Sequence, residues 1–329
     1  MQLQQLAYFI AVAEIRHFTH AAEALRVAQP SLSKQIRALE TELGAPLFSR
    51  ARGNIALTPA GEALLPLAKR ILADVETARL EVQELVGLRR GRVRLGATPS
   101  LCGGLLADVL RRFHDTYPGI RLLVEEGGSR DLVRELTRGS LDLALVILPL
   151  SGDAPLETTS ILREHLVVAF PAPGSTTRGT QLPRRHYLRV EDLRDRPLVM
   201  FRPGYDLREA TITACRQAGF EPRFAVEGGE MDAVLRFVEA GLGVAVVPSM
   251  VLAGRPGLRG IPLTTDEPPN GARRGAPAPG LLRTIAMAHR KDVTPTHAAR
   301  AFQQVLQTYI SEAARAGTLP PGVEALVDP

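Results

Sequence analysis

The chain has 329 residues, a formal net charge of +5, 45% apolar and 23% charged residues, two cysteines and no tryptophan. At roughly 100–200 residues per domain this makes two or three domains with real cores, and the apolar fraction excludes a disordered chain. No apolar run approaches the ~18 residues of a membrane span; Leu143–Leu150 is among the longest. The opening Met1-Gln2-Leu3-Gln4-Gln5 has neither a basic stretch nor a cleavage site, so the expectation is a cytoplasmic protein without membrane contact. Cys102 and Cys215 are too far apart in sequence for a CxxC motif and argue against a disulfide framework. Only Lys34, Lys69 and Lys291 are lysines, and the wealth of Arg, Ala, Gly and Pro reads as GC-rich codon usage. Residues 1–60 carry six Arg/Lys against four Asp/Glu, so charge does not mark a nucleic-acid-binding end.

Leu3, Leu6, Phe9, Ile10 and Ala13 fall at helical spacing, and Ala21, Ala22 and Leu25 continue in a second helix with Thr19 as its expected N-cap. Val27-Ala28-Gln29-Pro30 forms a short turn. A third helix starts at Gln29 or Pro30, because proline fits a first helical turn, and it ends at Gly44. This helix buries Leu32, Ile36 and Leu39 and presents Ser33, Lys34 and Arg37 on the other side. Two helices joined by a short turn, the second polar outward, read as helix-turn-helix. Residues 50–54 and Ile55-Ala56-Leu57-Thr58 then form a hairpin with a Gly-Asn turn, the expected wing.

The outward residues suit base reading. Gln29 can pair with adenine, and Lys34 or Arg37 with guanine, in the major groove. Thr19, Arg50 and Arg52 are expected on phosphate or in the minor groove. A merely solvating role stays open for Arg37.

Residues 1–61 resemble the N-terminal domain of LysR-type transcriptional regulators. The resemblance rests on Leu6, Phe9, Val12-Ala13, Phe18, Ala21-Ala22, Leu25, Gln29-Pro30-Ser31-Leu32-Ser33, Gln35-Ile36, Leu39-Glu40, Leu43-Gly44, Leu47-Phe48, Arg50, Leu57-Thr58 and Gly61. It implies double-stranded DNA as partner, with Gln29, Pro30, Ser31, Ser33 and Lys34 at the groove. Two positions depart from the family pattern. Ala28 replaces a frequent serine, which removes an N-cap bond worth ~1 kcal/mol. Gly53 replaces a common arginine, leaving Arg52 alone at the wing.

From Pro59 to Leu88, Leu64, Ala68, Ile71, Val75, Ala78, Val82 and Leu85 alternate steps of four and three, a heptad seam on a helix about 45 Å long. Pro66 is expected to bend its first turns. Packing onto the rest of the same chain is one reading of the seam; the resemblance implies a dimerising linker helix over residues 62–90.

After Gly91 the pattern alternates strand and helix: strands Arg92–Ala97, Ile120–Glu126, Leu141–Ile147, Leu166–Phe170, Leu198–Phe201, Arg223–Glu227, Val244–Val247 and Leu282–Ala288, with helices Leu101–Tyr117, Arg130–Arg138, Leu207–Ala218, Met231–Ala240 and Thr296–Ala314. A capping box, Asp206-x-x-Glu209, is expected to open the helix at Leu207. Two such units argue two α/β lobes, residues 91–165 with 266–315 and residues 166–265. The resemblance extends here through Leu141–Leu145, Ala218-Gly219-Phe220 and Val238–Pro248, and implies a two-lobed, periplasmic-binding-protein-like effector domain. The fold class is therefore α+β multidomain: winged helix-turn-helix, long linker helix, two α/β lobes. Residues 171–190 and 266–280 are read as solvated loops, and 316–329 as a disordered tail.

No HExxH, GxSxG, GxGxxG or Gly-Lys pair is present, and the seven histidines form no metal-ligand spacing. Neither an enzyme, a metal nor a cofactor is expected. Both cysteines sit at helical positions that a small apolar residue would fill. Four helix N-termini should converge where strands end between the lobes. Thr98 and Ser100 follow the first strand, Ser129 follows Gly127-Gly128, Arg202 follows Phe201, and Pro248 follows Val247. Unpaired N–H groups and hydroxyls there suit a carboxylate, between apolar walls of Leu101, Ile147 and Phe201. Simple helix capping by Ser100 and Ser129 is the plainer alternative.

The expected function is a regulator that binds an interrupted dyad in promoter DNA as a homodimer or homotetramer and answers to a small anionic metabolite. RNA polymerase is a further expected partner at the promoter. A two-lobed enzyme or transport protein, revived by turnover of any ligand, and a purely architectural DNA binder with an idle cleft stand as alternatives.

Overall fold

The computed structural model describes residues 1–49, 55–85, 91–150, 152, 154–172, 180–264 and 280–326. Three helices, α1 (Leu3–Ile15), α2 (Phe18–Ala24) and α3 (Gln29–Leu43), form the N-terminal head. Their apolar faces meet around Leu6, Phe9, Val12, Leu32, Ile36 and Leu39, each 1% exposed or less. His17, not Thr19, caps α2, its Nδ1 accepting from the His20 amide at 3.4 Å; Thr19 lies exposed in the first turn. Ala28 caps α3 without a side-chain bond, as expected, and Gly44 ends it at φ 69°, a left-handed backbone that glycine adopts without steric cost.

The wing strands β1 (Phe48–Ser49) and β2 (Ala56–Leu57) pair antiparallel, and residues 50–54 between them, with Arg50 and Arg52, lie outside the described residues. Phe48 packs on Phe9 at 5.4 Å between ring centroids, which ties the wing to α1. Gly61 lets the next helix approach closely: a Cβ there would stand 2.2 Å from the Leu47 carbonyl oxygen.

That helix, α4 (Pro59–Leu85), runs 27 residues, about 40 Å at 1.5 Å each. Its seam does not act as one stripe. Ala68 is wholly buried against the chain's own head, where Leu64 and Ile71 also pack, so Ala68 is withdrawn from any second chain. Val75 is half-buried, Ala78 is exposed and Val82 is 61% exposed. The Leu85 side chain lies outside the described residues.

The remaining chain builds a curled mixed sheet in the order β4-β3-β5-β12-β6-β11-β7, with β10 and β13 also on β6. In the first lobe, β3 (Gly91–Ala97) runs parallel to β4 (Ile120–Glu126) and β5 (Leu143–Leu148), and β12 (Leu282–Arg290) returns antiparallel to β5. In the second, β8 (Leu198–Met200) pairs parallel with β9 (Phe224–Glu227), while β10 (Ala245–Pro248) and β11 (Leu258–Thr264) lie on β6 and β7 (Leu188–Arg189) on β11. Helices α6 (Ala107–Thr116), α7 (Ser129–Thr137) and α10 (His297–Ala316) serve the first lobe; α8 (Asp206–Gln217) and α9 (Met231–Glu239) serve the second.

Three expectations change. The strand expected at Leu166–Phe170 is the end of β6 (Leu156–Pro171), a 16-residue strand shared by both lobes. Near its start Glu157-Thr158-Thr159 are exposed and polar and Ser160 half-buried, which hid it from the apolar pattern. The segment expected to be a disordered tail places β13 (Val323–Ala325) on β6. The helix expected at Leu101–Tyr117 splits into a short turn α5 (Pro99–Leu101), a π segment Cys102–Leu106, and α6. Gly104 sits in that segment because a Cβ there would meet Met250 Sδ at 2.8 Å. The loops expected at 171–190 and 266–280 lie partly outside the described residues, between 173 and 179 and between 265 and 279.

Candidate reading helix and interlobe cleft

On α3 the apolar face is pinned in the head, so its other face is fixed outward. Gln29, Pro30, Ser31, Lys34 and Arg37 are exposed and Ser33 half-exposed. Gln29 Nε2 donates to Ser33 Oγ at 2.9 Å, one turn along, which holds both side chains in place. Gln35 is drawn inward instead, accepting from Gln5 Nε2 at 3.2 Å. Glu40 Oε1 accepts from the Leu47 amide at 2.8 Å and the Phe48 amide at 3.3 Å, so α3 and the wing move as one unit. Neither Lys34 nor Arg37 has an ion-pair partner among the described residues. Such a face can approach a phosphate-lined groove without first breaking an ion pair of Lys34 or Arg37.

Between the lobes the expected residues are present, but each is already engaged. Thr98, Ser100 and Ser129 are 5%, 2% and 7% exposed. Ser100 Oγ accepts from Arg283 Nη2 at 3.0 Å and lies 3.4 Å from Thr98 Oγ1. Arg283 in turn donates Nε and Nη2 to Glu164 Oε2 at 2.9 and 2.7 Å. The other oxygen of Glu164 accepts the Met250 amide at 2.7 Å. Glu164 and Arg283 are nearly sealed from water, so the pair depends on their mutual bonds and on those to Ser100 and the Met250 amide. It joins the first lobe, through Ser100, to the second, through Met250.

Ser129 opens α7, and both its amide and its Oγ donate to Asp206 Oδ2, at 3.1 and 2.7 Å. Its Oγ also accepts from the Ile147 amide at 3.0 Å. Asp206 therefore does not cap its own helix as expected. Tyr205 holds the N-cap position of α8 without a side-chain bond, and Asp206 crosses to the other lobe. Arg202, expected free for an anion, pairs through Nε with Glu230 Oε1 at 2.5 Å and lies over the Tyr205 ring. Phe201 stacks on Tyr205 at 4.6 Å and 7° between planes. Leu101 and Phe201 are buried and Ile147 half-buried, as walls should be; Pro248 is buried in the sheet opposite Leu166 rather than facing the opening.

Sequence reasoning missed Glu164, Arg283, Tyr205 and Asp206. The only local signal was an ionisable pair set in two apolar strands. Burial, with Glu230 and Glu126 nearby, pushes the Tyr205 hydroxyl far above its ordinary range, partly offset by Arg202 and Arg283. The thiols of Cys102 and Cys215 are each pushed up by burial to about 11, far from a reactive thiolate at neutral pH. Among the described residues no three His, Cys, Asp or Glu side chains cluster to hold a metal, and no helix is long and apolar enough to cross a membrane.

A helix-turn-helix head, one long helix and a two-lobed ligand-binding fold together define a transcriptional regulator that carries its own sensor. Residues 3–62 match the family of bacterial regulatory helix-turn-helix proteins, lysR family, and residues 87–311 match the LysR substrate binding domain. The chain belongs to the LysR family of transcriptional regulators. It is 34% identical to the transcriptional dual regulator GltC of Bacillus subtilis over 77% of this chain and 82% of that one. It is 34% identical to a probable hydrogen peroxide-inducible genes activator of Streptomyces viridosporus over 95% and 94%. Among solved structures, full-length OxyR from Pseudomonas aeruginosa superposes with a TM-score of 0.67 at 26% identity, covering 100% of this chain and 99% of that one. CbnR, solved full-length in complex with its target DNA, gives 0.66 at 25%, covering 94% and 99%.

Proposed function

We propose that the protein binds an interrupted dyad in promoter DNA as a homodimer or homotetramer, reading bases with α3, and that a small anionic metabolite between the lobes alters that binding. The observation that carries the DNA reading is the outward face of α3, with Gln29 and Ser33 bonded to each other and Lys34 and Arg37 unpaired among the described residues. The similarity to CbnR, whose structure holds its target DNA, supports the same use of the head. The exposed Ala78 and Val82 on the second half of α4 support pairing with a second copy there, which would set two reading helices at a fixed spacing. Ser100, Ser129 and Arg202 support the anion, since hydroxyls, a helix N-terminus and a guanidinium favour negative charge. RNA polymerase is the further partner of a bound regulator at a promoter.

DNase footprinting on the chain's own upstream region, with light scattering of free protein, tests this reading. A dyad footprint from a dimer or tetramer is the expected result. A monomer with no sequence-selective protection would overturn it.

A further inference from the structure

At the cleft two short stretches from the two lobes, residues 127–129 and 204–206, approach each other. A Cβ on Gly128 would stand 3.4 Å from the Gly204 carbonyl oxygen. Here the Asp206 carboxylate takes the two donors that open α7, a nine-residue helix whose first turn favours negative charge. Asp206 makes no ion pair among the described residues; a serine hydroxyl and a helix amide are its partners. A carboxylate from the second lobe thus sits where a bound carboxylate would sit on the first. Beside it lies a cavity of about 180 Å³ whose walls include Val133, Ile147 and Leu150.

A second observation points to a ligand. The neighbouring Tyr205 is 6% exposed, and its hydroxyl is buried without a hydrogen-bond partner among the described residues. Its ring lies against Phe201, stacked at 4.6 Å, and the Arg202 guanidinium, 5.8 Å from the ring centre. A buried donor left without an acceptor is destabilising. The chain's own carboxylate satisfies α7 and leaves Tyr205 wanting.

We propose that Asp206 is a built-in occupant of the effector's oxyanion subsite: it latches the lobes in the free chain, and a carboxylate effector binds by replacing Asp206 on Ser129 while giving Tyr205 an acceptor. This rests on the anionic-effector reading above. Because Asp206 is tethered, a competing carboxylate faces an effective concentration in the millimolar range or higher. A simple carboxylate therefore fails against the intact chain. The true effector gains from the Tyr205 bond, which Asp206 leaves unmade. Replacement changes which lobe arrangement is favoured, and only such differential affinity shifts a conformational equilibrium.

The test is chemical rescue of the full chain by acetate, exchanged for chloride at constant ionic strength. Asp206→Ala should melt below the parent, and acetate should restore several degrees to it and none to the parent. Asp206→Ala with Ser129→Ala should not be rescued. Asp206→Asn, which keeps the shape and one acceptor, serves if the alanine variant does not fold, and should also melt below the parent; a melt equal to the parent's would overturn the latch. An Asp206→Ala melt equal to the parent's, or rescue that persists without Ser129, would overturn the latch. The effector half is read separately. Carboxylates that alter the operator footprint of the parent should act at ten-fold lower concentration on Asp206→Ala and at higher concentration on Tyr205→Phe. Rescue by acetate with equal footprint responses in all three would leave the latch standing and reject its displacement by effector.

Discussion

Arg290, at the end of β12, sets Nη1 2.7 Å from Asp74 Oδ1 on α4, so a buried guanidinium helps fasten the effector domain to the helix that carries the reading head. Its Nε and Nη2 are held by Asp292 at 3.0 and 3.1 Å, and Arg70 on α4 bonds the same aspartate.

Arg290→Ala should therefore leave Asp74 and Asp292 with only the more exposed Arg70 as their cation. A loss of about 1–3 kcal/mol is expected, less than for a fully buried pair because both carboxylates reach water. Asp74→Asn should cost under half of that, since Asp292 still satisfies Arg290. Denaturant melts of the two variants check the order, and the reverse order would place the fastening elsewhere.

Ser33→Ala and Lys34→Ala should each weaken operator binding by ~1–3 kcal/mol, roughly 5- to 150-fold, with helical content unchanged. The side chains face out of a helix anchored by Leu32, Ile36 and Leu39, so the fold has no stake in them. Fluorescence anisotropy on operator and scrambled duplexes measures this; a loss equal on both would make them phosphate contacts.

The two halves of α4 should answer differently to charge. Val82→Glu should convert the oligomer to monomer in light scattering while leaving the melt intact, because Val82 is 61% exposed in the single chain. Ala68→Glu should instead unfold the head, since that site has no room and no water. A dimer that survives Val82→Glu would locate the subunit contact away from this end of the helix.

Cys102 and Cys215, with pKa values of about 11, should be almost wholly protonated at pH 7, roughly one thiolate in ten thousand. Iodoacetamide labelling of the folded protein should be slow at pH 7 and quicken about tenfold per pH unit towards 11. Fast labelling, or sulfenate after dilute peroxide at pH 7, would show an activated thiol.

Glu164→Gln should be the most damaging single change in the effector domain, at about 3–5 kcal/mol, because it leaves Arg283 charged and buried. Glu164→Gln with Arg283→Met should recover much of the loss. A urea melt of both variants decides it.

The head was legible because a helix face with Leu32, Ile36 and Leu39 inside can present only the intervening polar residues outside. The crossing of the lobes was not. Local patterning cannot show that Glu164 and Arg283, 119 residues apart, become partners, nor that Asp206 abandons its own helix for Ser129. Thr19 failed as a cap because His17, two residues earlier, reaches the same turn. Val323–Ala325 lacked a signal because three residues gain strand structure only from β6 already in place.

Through the lobe crossing, β6 has no slack. His165 donates its amide to Gly322 and Leu166 to Leu281, and the ladder passes directly from β12 and β13 to β10 and β11. A swinging hinge needs a few residues free to change their backbone angles, and at His165 and Leu166 this strand offers none. Lobe rotation must instead be stored as extra coil along a hydrogen-bonded ribbon, a little at each residue. The domain is then a torsion spring rather than a door, and its response to a ligand should grade smoothly with the chemistry of what is bound.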